Sequence, residues 1–241
     1  MKLKKKDILI IGHKGASAIA PENTLKAFKK AIELKADMVE FDIHKTKDGE
    51  IVIIHDSDTL STTGIQGLIK DMIMEEIKKL DAGEGEKIPT LLELIKVAKE
   101  KVGLQIEIKS SGLLGKLIKL LKEENLVNTS IVSSFAFGEL VKLKNLEPKM
   151  KLGLLLPTEL VRVRQIKRNI LRAADKKFYA IHPHYNITDK KIVDFAHDND
   201  LNVNVWTVND KDNMERLIEI GVDGIITDDI SMANELLGRV T

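Results

Sequence analysis

Glu40 and Asp42 stand two residues apart in the apolar run Val39-Glu40-Phe41-Asp42-Ile43. If that run is a strand, both carboxylates leave one face while Val39, Phe41 and Ile43 leave the other. Two acids aimed together repel and are costly to desolvate, a problem that a hard divalent cation removes. Taken alone, the pair reads more simply as an exposed edge strand with two solvated acids. Other residues reverse that reading. Glu107 completes a three-carboxylate, all-oxygen set that suits one Mg²⁺ or Ca²⁺ ion better than Zn²⁺. A zinc site would draw instead on His13 and His55. Lys14 and Lys109, with the cation, would neutralise a phosphate. His13 and His55 are then the expected general acid and base, because imidazole titrates near neutrality. Cation, lysines and two histidines around a phosphate are equipment for phosphodiester cleavage.

These residues must converge from distant parts of the chain, which asks for elements that bring strand ends together. Apolar strand-like runs alternate with amphipathic segments throughout. Predicted strands cover 8–12, 37–43, 51–55, 103–108, 130–134, 152–156, 179–182, 202–208 and 222–226. Lys47-Asp48-Gly49 marks 51–55 as the return strand of a hairpin. The first helix is expected to start at Pro21-Glu22-Asn23, with Asn23 as N-cap and Leu25, Phe28, Ala31 and Ile32 as its buried stripe. A long helix is expected from Glu159 to Ala174; its Arg162, Arg164, Lys167, Arg168 and Arg172 read as a solvated face. Residues 57–86 break the rhythm and are expected to form a small insertion after the second strand unit.

About eight strand-then-helix units predict an α/β fold, a TIM (β/α)8 barrel forming one domain over 1–241. The competing doubly wound sheet would carry a Gly-rich turn that Gly12-His13-Lys14-Gly15 does not match. In a barrel, reactive groups sit at the C-terminal strand ends. His13-Lys14, Glu40, Asp42, His55-Asp56, Glu107, Lys109, Ser133-Ser134, His182, His184 and Thr227-Asp228 all fall there. Trp206, the single tryptophan, reads by default as a core residue, yet its parity with Asn202 and Asn204 would point it into the barrel mouth, to pack on the carbon part of a substrate. His44 is expected on a loop and His197 on the surface.

Net charge is +1, which argues against a nucleic-acid partner, and the absence of cysteine excludes disulfides and thiol chemistry. The basic start at Lys2–Lys6 leads into an apolar run too short for a signal core, and no stretch approaches membrane-spanning length. A cytoplasmic protein without stable membrane association is expected. The oligomeric state is left open.

The chain resembles the glycerophosphodiester phosphodiesterase family. The resemblance is carried by Gly12-His13-Lys14-Gly15-Ala16, Pro21-Glu22-Asn23-Thr24, Glu40-Phe41-Asp42-Ile43, Lys47-Asp48-Gly49, His55-Asp56, Lys87-Ile88-Pro89-Thr90-Leu91, Glu107-Ile108-Lys109, Trp206-Thr207-Val208-Asn209 and Thr227-Asp228, in family order. It implies a TIM barrel with a small insertion. It also implies metal-dependent hydrolysis of a glycerophosphodiester such as glycerophosphocholine to sn-glycerol 3-phosphate and an alcohol. Glu40, Asp42 and Glu107 look like the metal ligands, His13 and His55 the acid/base pair, and Lys109 a phosphate contact. Two positions depart from the usual pattern. Lys14 replaces an arginine and loses its bidentate fork, and Ser61 stands where an arginine often precedes the two threonines. The alternatives are a phospholipase D-like activity, against which the small insertion and missing export signal speak, and a binding-only barrel, against which the paired histidines speak.

Overall fold

The computed structural model describes residues 8–158 and 162–239. The Lys2–Lys6 start and residues 159–161 of the predicted long helix lie outside that range. The first half of the chain runs β1 (Leu9–Gly12), α1 (Leu25–Glu33), β2 (Met38–Lys45), β3 (Ile51–Ile53), α2 (Leu60–Thr63), α3 (Met74–Ile77), α4 (Leu91–Ala98), β4 (Gly103–Ile108) and α5 (Leu114–Glu123). The second half continues β5 (Ile131–Ser134), α6 (Phe137–Leu146), β6 (Lys151–Leu156), α7 (Val163–Asp175) and β7 (Ala180–Pro183). It ends with α8 (Lys190–His197), β8 (Asn202–Val205), α9 (Lys211–Ile220), β9 (Gly224–Thr227) and α10 (Ile230–Leu236).

Eight of the strands pair in parallel, and β1 closes the ring by pairing with both β2 and β9. This is the TIM barrel that the alternation of segments predicts. The ninth strand, β3, returns antiparallel along the end of β2, with Ile43 opposite Ile53. That hairpin sets His55 back beside the mouth, where the Ile54 N–H bonds the Asp42 carbonyl at 3.1 Å.

Side-chain alternation explains the two faces of β2. Val39, Phe41 and Ile43 are fully buried against the helices, and Phe41 meets Phe28 of α1 edge-on at 5.8 Å between ring centres. Met38, Glu40 and Asp42 take the other parity, and Met38 packs with Ile11, Ile131 and Ile226 in a small cluster of its own. Further along the strands the buried side chains turn polar: Gln105, Ser133, His182 and Asn204. Glycines make the room. A Cβ on Gly153 would lie 2.5 Å from His182 Nε2, and one on Gly224 would lie 2.6 Å from Asn204 Oδ1.

Residues 57–86 hold α2, α3 and a single turn of 3₁₀ helix at Ile69–Asp71. Ile69, Ile77, Leu80, Ala82 and Ile88 pack beneath it against Val52 and Ile54, which ties the excursion to the hairpin. Several predicted boundaries move. Thr24, not Asn23, caps α1 by accepting the Ala27 N–H, and its fully buried residues are Ala27, Phe28 and Ala31. His44 is not on a loop: it is the next-to-last residue of β2 and is buried.

Gly153→Ala should lower stability by roughly 1–3 kcal/mol, because the new methyl drives into a buried ring with no free space to move into. Thermal unfolding of the variant checks this, and an unchanged melting temperature contradicts it.

Candidate active site

Strand register brings the acids together. Glu40 pairs with Gln105 and Asp42 with Glu107 across β2 and β4, so the three carboxylates share one side of the barrel mouth. One oxygen from each of Glu40, Asp42 and Glu107 lies within 4.8 Å of the others, and all three residues are buried. Lys109 reaches into this group, its Nζ 2.8 Å from Glu107 Oε1 and 3.2 Å from Asp42 Oδ1. One ammonium against three carboxylates leaves two formal negative charges uncompensated.

Physical chemistry allows two remedies, protons or a cation. Burial, reinforced by Asp42 and Glu107, holds the Glu40 carboxyl well above the ordinary carboxylate range, although the Lys14 N–H and Lys109 oppose it. Burial and Asp42 push Glu107 up to about 7. Burial would lower the Lys109 ammonium, but Asp42 and Glu107 outweigh it and raise its pKa. An all-oxygen donor set that binds protons this tightly fits a hard divalent ion. No histidine enters the cluster, so the donor set does not resemble a zinc site.

Each predicted catalytic histidine has a carboxylate behind it. His13 Nδ1 lies 2.6 Å from Asp228 Oδ1, and the Ser17 hydroxyl and Asn209 amide also donate to Asp228. His55 Nδ1 lies 2.7 Å from Asp56 Oδ1, and the Ser61 hydroxyl donates to the other Asp56 oxygen. In both pairs, Nδ1 is engaged and Nε2 is the nitrogen left for a ligand. Asp56 sits below the ordinary carboxylate range, chiefly because Ser61 and His55 donate to it. Ser61, in the place of a long basic side chain, thus steadies an Asp–His pair.

The β1–α1 loop supports the acids from behind. Lys14 and Asn23 both adopt left-handed backbone, φ 54° and 57°, which places the Lys14 N–H 3.2 Å from Glu40 Oε2. Asn23, buried, donates its amide to Asp42 Oδ2 at 3.0 Å. Gly15 lets the loop close: at φ 89° it lies so near α1 that a Cβ would stand 2.7 Å from the Ala27 carbonyl carbon. The Lys14 side chain does not join the cluster. Its Nζ pairs with Glu22 at 2.9 Å.

A cavity of about 310 Å³ opens over the acids. His13, Glu40, Asp42, His55, Glu107, Lys109 and Trp206 all line it, and Lys14 does not. Phe135, Leu155 and Ile226 add an apolar part that the sequence reading missed. Trp206 lies just past the end of β8; its indole N–H donates to the His182 carbonyl at 2.7 Å and its ring meets Phe135 edge-on at 5.6 Å. The remaining histidines stand apart. His44 Nε2 is 3.1 Å from the His55 carbonyl, a structural contact that needs the Nε2–H tautomer. His182 is fully buried, and desolvation pulls it down to about 3. His184 accepts the Asn186 N–H, and His197 pairs with Asp223 at the surface.

The sequence profile of the glycerophosphoryl diester phosphodiesterase family matches residues 13–232. The chain belongs to that family. A glycerophosphodiester phosphodiesterase of Caldanaerobacter subterraneus is 43% identical over 234 residues, covering 92% of this chain and 94% of that protein. Among solved structures, a phosphodiesterase of Oleispira antarctica in complex with the product sn-glycerol-3-phosphate superposes with a TM-score of 0.86 at 28% identity, covering 98% and 100% of the two chains. A glycerophosphodiester phosphodiesterase of Thermotoga maritima gives a TM-score of 0.81 at 29% identity, covering 95% and 98%.

The acidic cluster has two measurable consequences. Glu107 ionises at about 7 in the fold against an ordinary 4.5, so the folded state prefers the proton and loses stability as pH rises from 4.5 towards 7. Protein stripped with chelator should therefore melt lower at pH 7.5 than at pH 5. Saturating Mg²⁺ or Ca²⁺ should raise the melting temperature more at pH 7.5 than at pH 5; an equal rise at both contradicts the linkage. Asn23→Ala should weaken divalent-ion affinity by about 10- to 100-fold by releasing Asp42, as read by calorimetric titration.

Proposed function

We propose that the chain is a cytoplasmic, divalent-metal-dependent glycerophosphodiester phosphodiesterase. It would cleave diesters such as glycerophosphocholine to sn-glycerol 3-phosphate and an alcohol, working as one catalytic unit over its whole length. The observation that carries the reading is the meeting of three buried carboxylates with two Asp-backed histidines in one cavity. The product named in the Oleispira antarctica complex supports the substrate class.

Glu40, Asp42 and Glu107 would hold the ion, Mg²⁺ or Ca²⁺, whose charge would offset that of the phosphoryl oxygens. Lys109, already anchored to two of the acids, contacts the phosphate as a further positive charge. Lys14 can join it only by giving up Glu22. His13 and His55 exchange protons through Nε2: one takes a proton from the attacking hydroxyl group, and the other returns one to the departing alcohol. Asp228 and Asp56 keep each ring oriented and stabilise its protonated form. Trp206 covers the carbon part of the substrate with its ring.

Phosphorus NMR of glycerophosphocholine turnover tests the reading. Chelation should abolish product formation, and add-back of Mg²⁺ or Ca²⁺ should restore it. His13→Ala and His55→Ala should each lower turnover by ~10²-fold or more with substrate affinity little changed. Undiminished turnover in chelator, or in either histidine variant, contradicts the proposal.

A further inference from the structure

Arginine is scarce in this chain and unevenly placed. Of its 38 basic side chains six are arginines, and four of those, Arg162, Arg164, Arg168 and Arg172, fall on or beside α7. The other two work inside the fold. Arg216 donates to the Thr188 and Tyr185 carbonyls at 2.8 and 3.1 Å, and Arg239 pairs with Asp37 at 2.6 Å. The four on α7 have no such use: all are exposed, and among the described residues none meets a carboxylate. Arg172 lies over the Phe137 ring at 4.0 Å, with Nη1 3.4 Å from Asn169 Oδ1. Most of its five donors stay open.

Solvation of a basic face does not account for this pattern. Where other helices show cations to water they pair them with acids one turn away: Lys30 with Glu33, Lys142 with Glu139, Lys190 with Asp194. On α7, Arg164, Arg168 and Arg172 recur every fourth residue with no acid between them, so like charges line one face and repel. The first turn holds no acid either, so Arg162 and Arg164 face the positive end of the helix dipole. Ile166, Ile170 and Ala173 are buried on the inner side. Val163 and Leu171, 52% and 51% exposed, stay outside among the arginines.

Between residues 162 and 177 stand seven cationic side chains and one acid, a surplus of six; with a net charge of +1, the rest of the chain carries −5. A nucleic acid that wrapped the protein would meet that negative remainder, whereas a flat anionic surface meets the basic face alone. A basic cluster on an amphipathic helix, with apolar side chains among the charges, has the chemistry that an anionic bilayer attracts. The guanidinium fork suits phosphate oxygens.

We propose that the outer face of α7 docks reversibly on an anionic lipid surface, with its arginines on lipid phosphates and Val163 and Leu171 between the head groups. The surface is a berth and not a substrate. No residue of α7 lines the catalytic cavity, so no lipid enters the site and the diester reaches it from water. Phosphates lying between the arginines also relieve their mutual repulsion. Because the contact is made by exposed charges, salt weakens it.

Co-sedimentation of the full chain with phosphatidylcholine vesicles, with and without phosphatidylglycerol, tests the proposal at low and at high salt. Vesicles containing phosphatidylglycerol should bring the protein down at low salt and release it at high salt, and phosphatidylcholine alone should not bind it. Arg164→Glu/Arg168→Glu should lower the partition coefficient about tenfold or more. Arg164→Gln/Arg168→Gln, which cannot add new repulsion within the helix, should lower it by a smaller factor. Both variants should keep the melting temperature and the glycerophosphocholine turnover of the unmutated protein, since α7 stands outside the cavity. No binding to phosphatidylglycerol vesicles, equal binding to neutral ones, or binding that neither double substitution weakens overturns the proposal. Single-stranded DNA bound in place of vesicles, and lost in the glutamate variant, overturns it in favour of a nucleic acid. A dimer that the glutamate variant converts to monomer, with no vesicle binding, overturns it in favour of a second copy of the chain. The vesicle readout is independent of turnover, so the docking proposal and the phosphodiesterase reading can fail separately.

Discussion

Three carboxylates buried within 4.8 Å of each other are the constraint around which this barrel is arranged. Their mutual repulsion and desolvation would unfold a less closed scaffold or drive the acids outward. Parallel register across β2 and β4 removes that freedom by setting Asp42 beside Glu107 and Glu40 beside Gln105. The fold then meets part of the charge with Lys109, part with the Lys14 N–H and part with the Asn23 amide. What remains is a site whose affinity for protons and for a hard cation has the same origin.

Around that centre the supporting residues come in matched sets. Each histidine is backed by an aspartate, and each aspartate is held by a hydroxyl, Ser17 on one side and Ser61 on the other. The two sets differ in exposure: the His55 side chain is 43% exposed and the His13 side chain 23%. The pair nearer solvent directly precedes the excursion, whose own apolar cluster anchors it to the hairpin. Residues 57–86 therefore supply the Ser61 hydroxyl that steadies the Asp56–His55 pair.

Much of this was legible in the residues. Alternation within Val39–Ile43 placed two acids on one face, and the strand-end rule put His13, His55, Glu107, Lys109 and Trp206 at one mouth, as the cavity lining has it. What escaped was set by loop backbone and by distance along the chain. Asn23 has the residue type of a helix cap, but its left-handed φ turns the amide to Asp42 and leaves capping to Thr24. Lys14 follows His13 directly, yet the same loop geometry aims its main chain at Glu40 and its side chain at Glu22. Asp228 was visible as a polar strand end, but nothing in the sequence ties it to a histidine 215 residues away. His44 shows the opposite error, since β2 runs further than its apolar pattern suggests.

The central claim is that Glu40, Asp42 and Glu107 share one hard cation. Anomalous diffraction from crystals grown with Mn²⁺ tests it directly. The account predicts one strong peak about 2.0–2.6 Å from oxygens of all three carboxylates. A peak bound by His13 or His55 instead, or none between the acids, would contradict it.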